Sequence, residues 1–325
     1  MGGRSLADRL LDASVIWSFD RTGYRRHARR FHGEDLSVDL SGRVCLITGA
    51  NSGIGFATAR ALASRGADTW LLCRDAQRGA SARDRIQHET GSARVYLATV
   101  DVSRLEDVRA FARGFAPARV DVLVHNAGVL PRSRIVTVDG LELTFATHVA
   151  GPFVLTLELL AKLRAAAPAR VVFVSSGGMY ARRLDVGALE RITGSYDGVE
   201  AYAQTKRAQV VLAELLAGQL SAVGVTVNAM HPGWVDTPSV RMSLPRFYRA
   251  TRSILRNVDE GADTLVWLAV CPTLTVVTGR FFFDRQPRRT HWLPWTRESA
   301  QQRSALWNLC LRLAGRRCLG GALSG

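Results

Sequence analysis

From Gly42 onward the chain alternates short apolar, β-rich runs with longer amphipathic stretches, and this alternation constrains its fold more than any other feature. Strands are predicted at 43–48, 69–73, 95–100, 120–124, 170–175, 225–230 and 279–283, and helices near 53–65, 75–89, 104–115, 139–166, 199–222 and 259–270. Strands separated by helices pair in parallel through right-handed crossovers and carry helices on both faces. The expected architecture is an α/β fold with one doubly wound parallel sheet of about seven strands. No internal repeat or low-complexity linker divides it, so a single domain is expected at 41–285, with an N-terminal extension at 1–40 and a C-terminal one at 286–325.

The first strand runs into Thr48-Gly49-Ala50-Asn51-Ser52-Gly53-Ile54-Gly55, where a helix begins. Glycines let the backbone turn tightly and approach a pyrophosphate, and the helix N-terminus supplies N–H donors and the positive end of its dipole. Gly49, Asn51, Ser52, Gly53, Ile54 and Gly55 therefore read as a dinucleotide-binding loop of the Rossmann kind. The second strand ends in Cys73-Arg74-Asp75, at the place where an acidic residue selects NAD and a basic one accommodates a 2′-phosphate. Arg74, with Arg78 one turn on, favours NADP(H) over NAD(H), and Asp75 is expected to cap the next helix. Asp101-Val102 and Asn126-Ala127-Gly128 end the third and fourth strands on the same carboxyl edge and form the floor of the cleft.

Tyr202 and Lys206 lie four residues apart on a predicted helix and so share a face, where an ammonium favours the ionised form of a phenol. Such a tyrosine is a candidate general acid/base. The fifth strand leads into Ser175-Ser176, the sixth into His231-Pro232-Gly233-Trp234-Val235-Asp236-Thr237, and His148 sits in the helix predicted at 139–166.

These markers, in this order, resemble the short-chain dehydrogenase/reductase (SDR) family over roughly residues 40 to 285, most closely the retinol-dehydrogenase-like branch called dehydrogenase/reductase member 12. The resemblance implies hydride transfer between nicotinamide and a carbonyl or alcohol, with Tyr202 as acid/base. Lys206 would hold the nicotinamide ribose and lower the tyrosine pKa, and Ser176, the last serine of its pair, would bind the reacting oxygen. Asn126 would lie beside the ribose, Asp101 and Val102 beside adenine, and Val235 with Thr237 against the nicotinamide carboxamide, with Pro232 and Gly233 also among the cofactor-binding residues. Alignment on Gly151 places His148 where the family has an asparagine that connects the lysine to solvent, so His148 joins the candidate catalytic set as a residue that either maintains that relay or weakens it. Family habit also implies a homodimer.

A lid is expected at about 235–258, as one amphipathic helix whose Met242, Leu244, Phe247, Ile254 and Leu255 suit a lipophilic substrate. Residues 5–19 place Leu6, Leu10, Ala13 and Trp17 at helical spacing ahead of a basic run ending at Arg30; this segment either packs on the domain or makes a peripheral membrane contact. The net charge of +15 is spread through an arginine-rich composition and no recognition module accompanies it, so no nucleic-acid partner is expected. Five scattered cysteines give neither a metal-site spacing nor a disulfide framework. No apolar run reaches the roughly 18 residues that span a bilayer. A cytoplasmic location, with membrane association as the alternative, follows from these features. Three functional classes are carried forward: an NADP-dependent oxidoreductase, a catalytically weak NADP-binding regulator, and a peripheral membrane scaffold.

Overall fold

The computed structural model describes residues 11–12 and 14–319. Leu6, Leu10 and Ala13 of the predicted N-terminal helix lie outside them. Seven strands, β1 (Val44–Thr48), β2 (Asp68–Cys73), β3 (Val95–Thr99), β4 (Val122–His125), β5 (Ala169–Val174), β6 (Val225–Met230) and β7 (Phe281–Phe283), run parallel in the order 3-2-1-4-5-6-7. A two-residue antiparallel strand, β8 (Gln286–Pro287), closes one edge. Each predicted strand is present, its ends within two residues of the expected span.

The helices are α1 (Val15–Phe19), α2 (Arg21–Ala28), α3 (Gly53–Ala63), α4 (Ala76–Thr90), α5 (Leu105–Gly114), α6 (Leu143–Phe145), α7 (Gly151–Glu158), α8 (Leu160–Ala165), α9 (Val186–Leu189), α10 (Gly198–Leu220), α11 (Pro238–Ser243), α12 (Pro245–Thr251), α13 (Val258–Val270) and α14 (Ala300–Leu313). Alternation along the strands divides the core between two layers. Cys45, Ile47, Val122 and Val124 face Leu62 of α3, Ile86 of α4 and Leu265 of α13, whereas Leu46, Leu123, Val171 and Phe173 face Val108 of α5, Phe153 of α7 and Leu212 of α10. Because both faces are covered, the strands read as continuous apolar runs. Phe19 of α1 and Leu306 and Leu309 of α14 join the second of these cores, so both terminal segments pack onto the sheet.

Two helices depart from expectation. The stretch predicted at 139–166 opens into a wide turn at Ala146–Ala150, in which the Gly151 N–H reaches back to the Ala146 carbonyl. The cause is Pro152, which has no N–H and whose ring crowds the carbonyl four residues earlier, that of His148. The segment expected to form a lid folds as two short helices, α11 and α12, each begun by a proline. Pro245 cannot donate to the preceding turn, which ends one helix and starts the next. Among the described residues no helix is long and apolar enough to cross a membrane.

Phe153 is fully buried and meets the Trp307 ring edge-on at 5.4 Å. Phe153→Ala should cost about 3–5 kcal/mol of stability in a denaturant titration; a loss below about 1 kcal/mol would show that α14 does not close this core.

Candidate active site

The parallel sheet delivers the ends of β1, β4, β5 and β6 to one edge, and side chains there lock the loops together. Thr48, the last residue of β1, donates its hydroxyl to the Val124 carbonyl (3.2 Å) and accepts from the N–H groups of Asn126 and Ala127, both at 3.0 Å. Asn126 returns the contact, its Nδ2 donating to the carbonyls of Thr48 (2.9 Å) and Gly49 (3.2 Å). A Cβ on Gly55 would collide with this Asn126 amide and with the Gly49 carbonyl, so the first turn of α3 tolerates only glycine at that position. Ser52, the N-cap of α3, leaves its side chain out of the cap, so the first N–H groups of the helix are not occupied by it. Gly53 sits 3.3 Å, measured from a built Cβ, from the Thr237 methyl, which brings the β6 loop against the glycine loop.

At the end of β2, Arg74 and Arg78 are exposed, and Asp75 caps α4 by accepting the Arg78 N–H at 2.9 Å. The acidic residue beside Arg74 thus has a structural use. Asp101 accepts from both the N–H (3.0 Å) and the hydroxyl (2.7 Å) of Ser103, while Val102 is buried. Val235 is buried and bridges to Arg256, and Thr237 caps α11 through the Val240 N–H at 3.3 Å.

Helix α10 carries Tyr202 and Lys206, and Asp197 starts it by accepting the N–H groups of Val199 and Glu200. Ser176 stands near enough to the Tyr202 phenol to favour its ionised form, and its hydroxyl accepts the Gly178 N–H at 3.3 Å. Ser175, by contrast, donates to the Lys206 carbonyl at 2.8 Å and is buried. The Lys206 Nζ donates to the Val174 carbonyl at 2.8 Å and lies 5.4 Å from the centre of the Tyr202 ring. Burial raises the tyrosine pKa, against a lowering by Ser176, and burial pushes Lys206 down to about 7. Part of the Tyr202 surface still meets solvent.

His148 is fully buried within the wide turn. Its Nε2 accepts the Val129 N–H at 3.0 Å, which assigns the proton to Nδ1, and Nδ1–H donates to the Thr205 hydroxyl at 2.8 Å. Thr205 in turn donates to the Tyr202 carbonyl at 2.9 Å. Burial, reinforced by the Lys206 charge, holds His148 well below the usual histidine range, so the ring is neutral. His148 therefore ties the loop after β4 to the turn of α10 that carries Tyr202, with its ring edge-on to the phenol ring at 5.4 Å. Sequence reasoning missed Thr48 and Thr205. The latter stands one residue before Lys206, a position from which one helix turn reaches back to the Tyr202 carbonyl.

Residues 43–245 match the short chain dehydrogenase family. The chain is a short-chain dehydrogenase/reductase. This dehydrogenase is 40% identical over 299 residues to dehydrogenase/reductase SDR family member 12 of Bos taurus, covering 90% of its own length and 93% of that protein. It is 36% identical over 283 residues to human retinol dehydrogenase 12, covering 86% and 88%. Among solved structures, one from Mycobacterium paratuberculosis superposes with a TM-score of 0.69 at 29% identity over 86% of this chain and 96% of that one. A Pseudomonas aeruginosa RhlG complex with NADP in its active site gives 0.63 at 26% identity over 78% and 97%. The enzyme is an oxidoreductase of the SDR fold and belongs to the retinol-dehydrogenase-like branch.

The buried lysine of this dehydrogenase has a measurable consequence. Between about pH 7 and 10.5 the unfolded chain binds a proton at Lys206 that the folded protein does not, so stability rises with pH across that window. Lys206→Met removes this dependence: just below pH 7 its melting temperature should exceed the wild-type value, reflecting on the order of a few kcal/mol, and the gap should shrink toward pH 10.5. Parallel melting curves across the range would show that Lys206 is not desolvated.

Proposed function

We propose that the enzyme transfers hydride between NADP(H) and a lipophilic carbonyl or alcohol, with Tyr202 as general acid/base. The observation that carries this reading is the Tyr202 phenol with Ser176 nearby and the Lys206 Nζ 5.4 Å from its ring centre, at the edge where the glycine loop also ends. The bound dinucleotide supplies or accepts the hydride. The donors left open at the start of α3 suit its pyrophosphate, and Lys206, a short move from the Val174 carbonyl, can turn its Nζ to the nicotinamide ribose. Negative charge from those phosphates opposes the desolvation that weakens Lys206 as a cation.

In the reducing direction the Tyr202 hydroxyl gives its proton to the carbonyl oxygen, and in the oxidising direction it takes one from the alcohol. Ser176 donates to the same oxygen and stabilises the charge that develops there. Lys206 as a cation lowers the cost of ionising the phenol, which burial alone raises. His148, neutral and held at both nitrogens, is assigned the role of positioning Tyr202 rather than conducting its proton. Exposed Arg74 and Arg78, with Asp75 taken up by the helix cap, support a 2′-phosphate over a free ribose hydroxyl. The lipophilic substrate is supported by partly exposed apolar side chains of the lid, Met242 and Phe247 among them, and by the likeness to a retinol dehydrogenase.

A screen of NADPH oxidation over retinal, steroid ketones, medium and long aldehydes and quinones should find turnover that Tyr202→Phe lowers by at least about 100-fold. NADPH binding without turnover of any of them would favour the regulatory reading. His148→Ala should reduce the rate less than Tyr202→Phe; an equal or greater loss would return His148 to the proton relay. Wild-type protein should bind NADPH more tightly than NADH, and Arg74→Ala should narrow that gap by about tenfold; tighter NADH binding in the wild type would sink the cofactor assignment.

A further inference from the structure

The loops that carry Ser176 and the residues Pro232 to Thr237 do not rest on the sheet alone. Both close on Phe19, which is 4% exposed and more than 150 residues away in sequence. Its ring lies over Gly177, the residue after Ser176, so closely that a Cβ there would stand 2.5 Å from Phe19 Cε2. The same ring meets His231 at 4.5 Å, Trp234 at 6.3 Å and Phe283 at 5.1 Å, edge-on in each case. Its carbonyl accepts the Trp234 N–H at 2.8 Å, and the Arg256 N–H donates to the Trp234 carbonyl at 2.8 Å, so the β6 loop is tied to both residues.

Phe19 is itself held by a buried clamp. Arg256, 1% exposed, donates through Nε to the carbonyls of Phe19 (2.9 Å) and Asp20 (3.1 Å), through Nη2 to Ser18 (3.0 Å), and through Nη1 to Pro232 (3.3 Å). Its guanidinium forms a bidentate pair with Asp284 at 2.6 and 2.9 Å, and Asp284 also accepts from His27 Nδ1 of α2 at 2.6 Å. Gly233 has φ +79°, and a Cβ on it would lie 2.5 Å from Arg256 Nε and 2.7 Å from the Phe19 carbonyl, so the β6 loop fits against the clamp only as glycine. A buried guanidinium paired on one side and capped by carbonyls on the other has few alternative positions, and it transmits the placement of α1 and α2 to the loop.

We infer that α1 and α2 act as a strap that positions the active site, with Phe19 and Arg256 as positioning residues for the nicotinamide side of the cleft. This inference rests on the dehydrogenase reading above, in which Val235 and Thr237 of the same loop lie along the nicotinamide. It distinguishes the two halves of the cofactor: the adenosine half, at the end of β2, lies away from the strap, and the nicotinamide half lies against the loop it holds. Loss of Phe19 should therefore weaken one half and leave the other.

The test uses the full chain. In Phe19→Ala the dissociation constant for NADPH should rise about tenfold while that for 2′,5′-ADP, which lacks the nicotinamide half, should change by less than about twofold. If a substrate is in hand, KM for NADPH should rise and kcat should fall, and Phe19→Leu, which refills the space over Gly177, should recover most of the loss. Should Phe19→Ala fail to fold, His27→Gln, which loosens the clamp at its outer end, should give the same split in smaller measure. A folded variant with unchanged NADPH affinity, or with NADPH and 2′,5′-ADP weakened equally, overturns the strap while leaving the dehydrogenase reading intact. Wild-type protein that binds neither NADPH nor NADH removes the reading and the strap together.

Discussion

Everything at the site depends on one constraint, that parallel strands all end on the same edge of their sheet. Seven strands joined by helices bring the loops after β1, β4, β5 and β6 within a few ångströms of one another, although they are spread over nearly two hundred residues. The sheet tolerates this only because both its faces are covered, which in turn requires the two apolar cores. A site assembled from strand ends inherits the rigidity of the strands, and the short hydrogen bonds of Thr48 and Asn126 extend that rigidity into the loops.

Within this frame the polar groups divide by charge. Neutral ones do the joining: Thr48, Ser175, Thr205 and His148 are each satisfied by specific backbone or hydroxyl partners, so their burial costs little. Lys206 is different, since burial drives its ammonium toward neutrality and, among the described residues, it donates to the Val174 carbonyl alone. A lysine so placed is poised to respond to a bound anion, whereas an arginine would stay charged and fixed. The arginine in this neighbourhood, Arg256, is used as a clamp, with Asp284 held near pKa 2, where burial raises it and Arg256 and His27 together outweigh that effect.

The terminal segments gain their meaning from the same economy of packing. Aromatic rings of the N-terminal strap, the β6 loop and β7 stack around His231, and Tyr180 stacks on Trp292 of the C-terminal segment at 4.0 Å. Ser176 thus stands between the sheet edge on one side and a shell contributed by both terminal segments on the other. Outside that shell Val15, Ile16, Trp17 and Trp295 remain exposed.

Strand positions, the glycine loop, Arg74 and the spacing of Tyr202 and Lys206 were all legible in the linear sequence, because apolar periodicity and backbone-demanding glycines are local properties. Asp75 was legible too, as a cap one residue before a helix. What stayed hidden depends on approach through space. The break at Pro152 could be suspected locally, but that it would leave His148 bonded to Val129 and Thr205 could not. The division of the 238–251 segment into two helices follows from Pro245, a local signal that the amphipathic pattern around it masks. The placement of Phe19 over Gly177 has no sequence signal at all, since nothing near Phe19 marks its partner and a glycine after a serine reads as a simple turn. The sequence by itself determined the sheet, its active edge and the residue types able to do chemistry there; only the tertiary structure decided which polar atoms meet and that the N-terminal segment closes the site, because those contacts join residues that no local period relates.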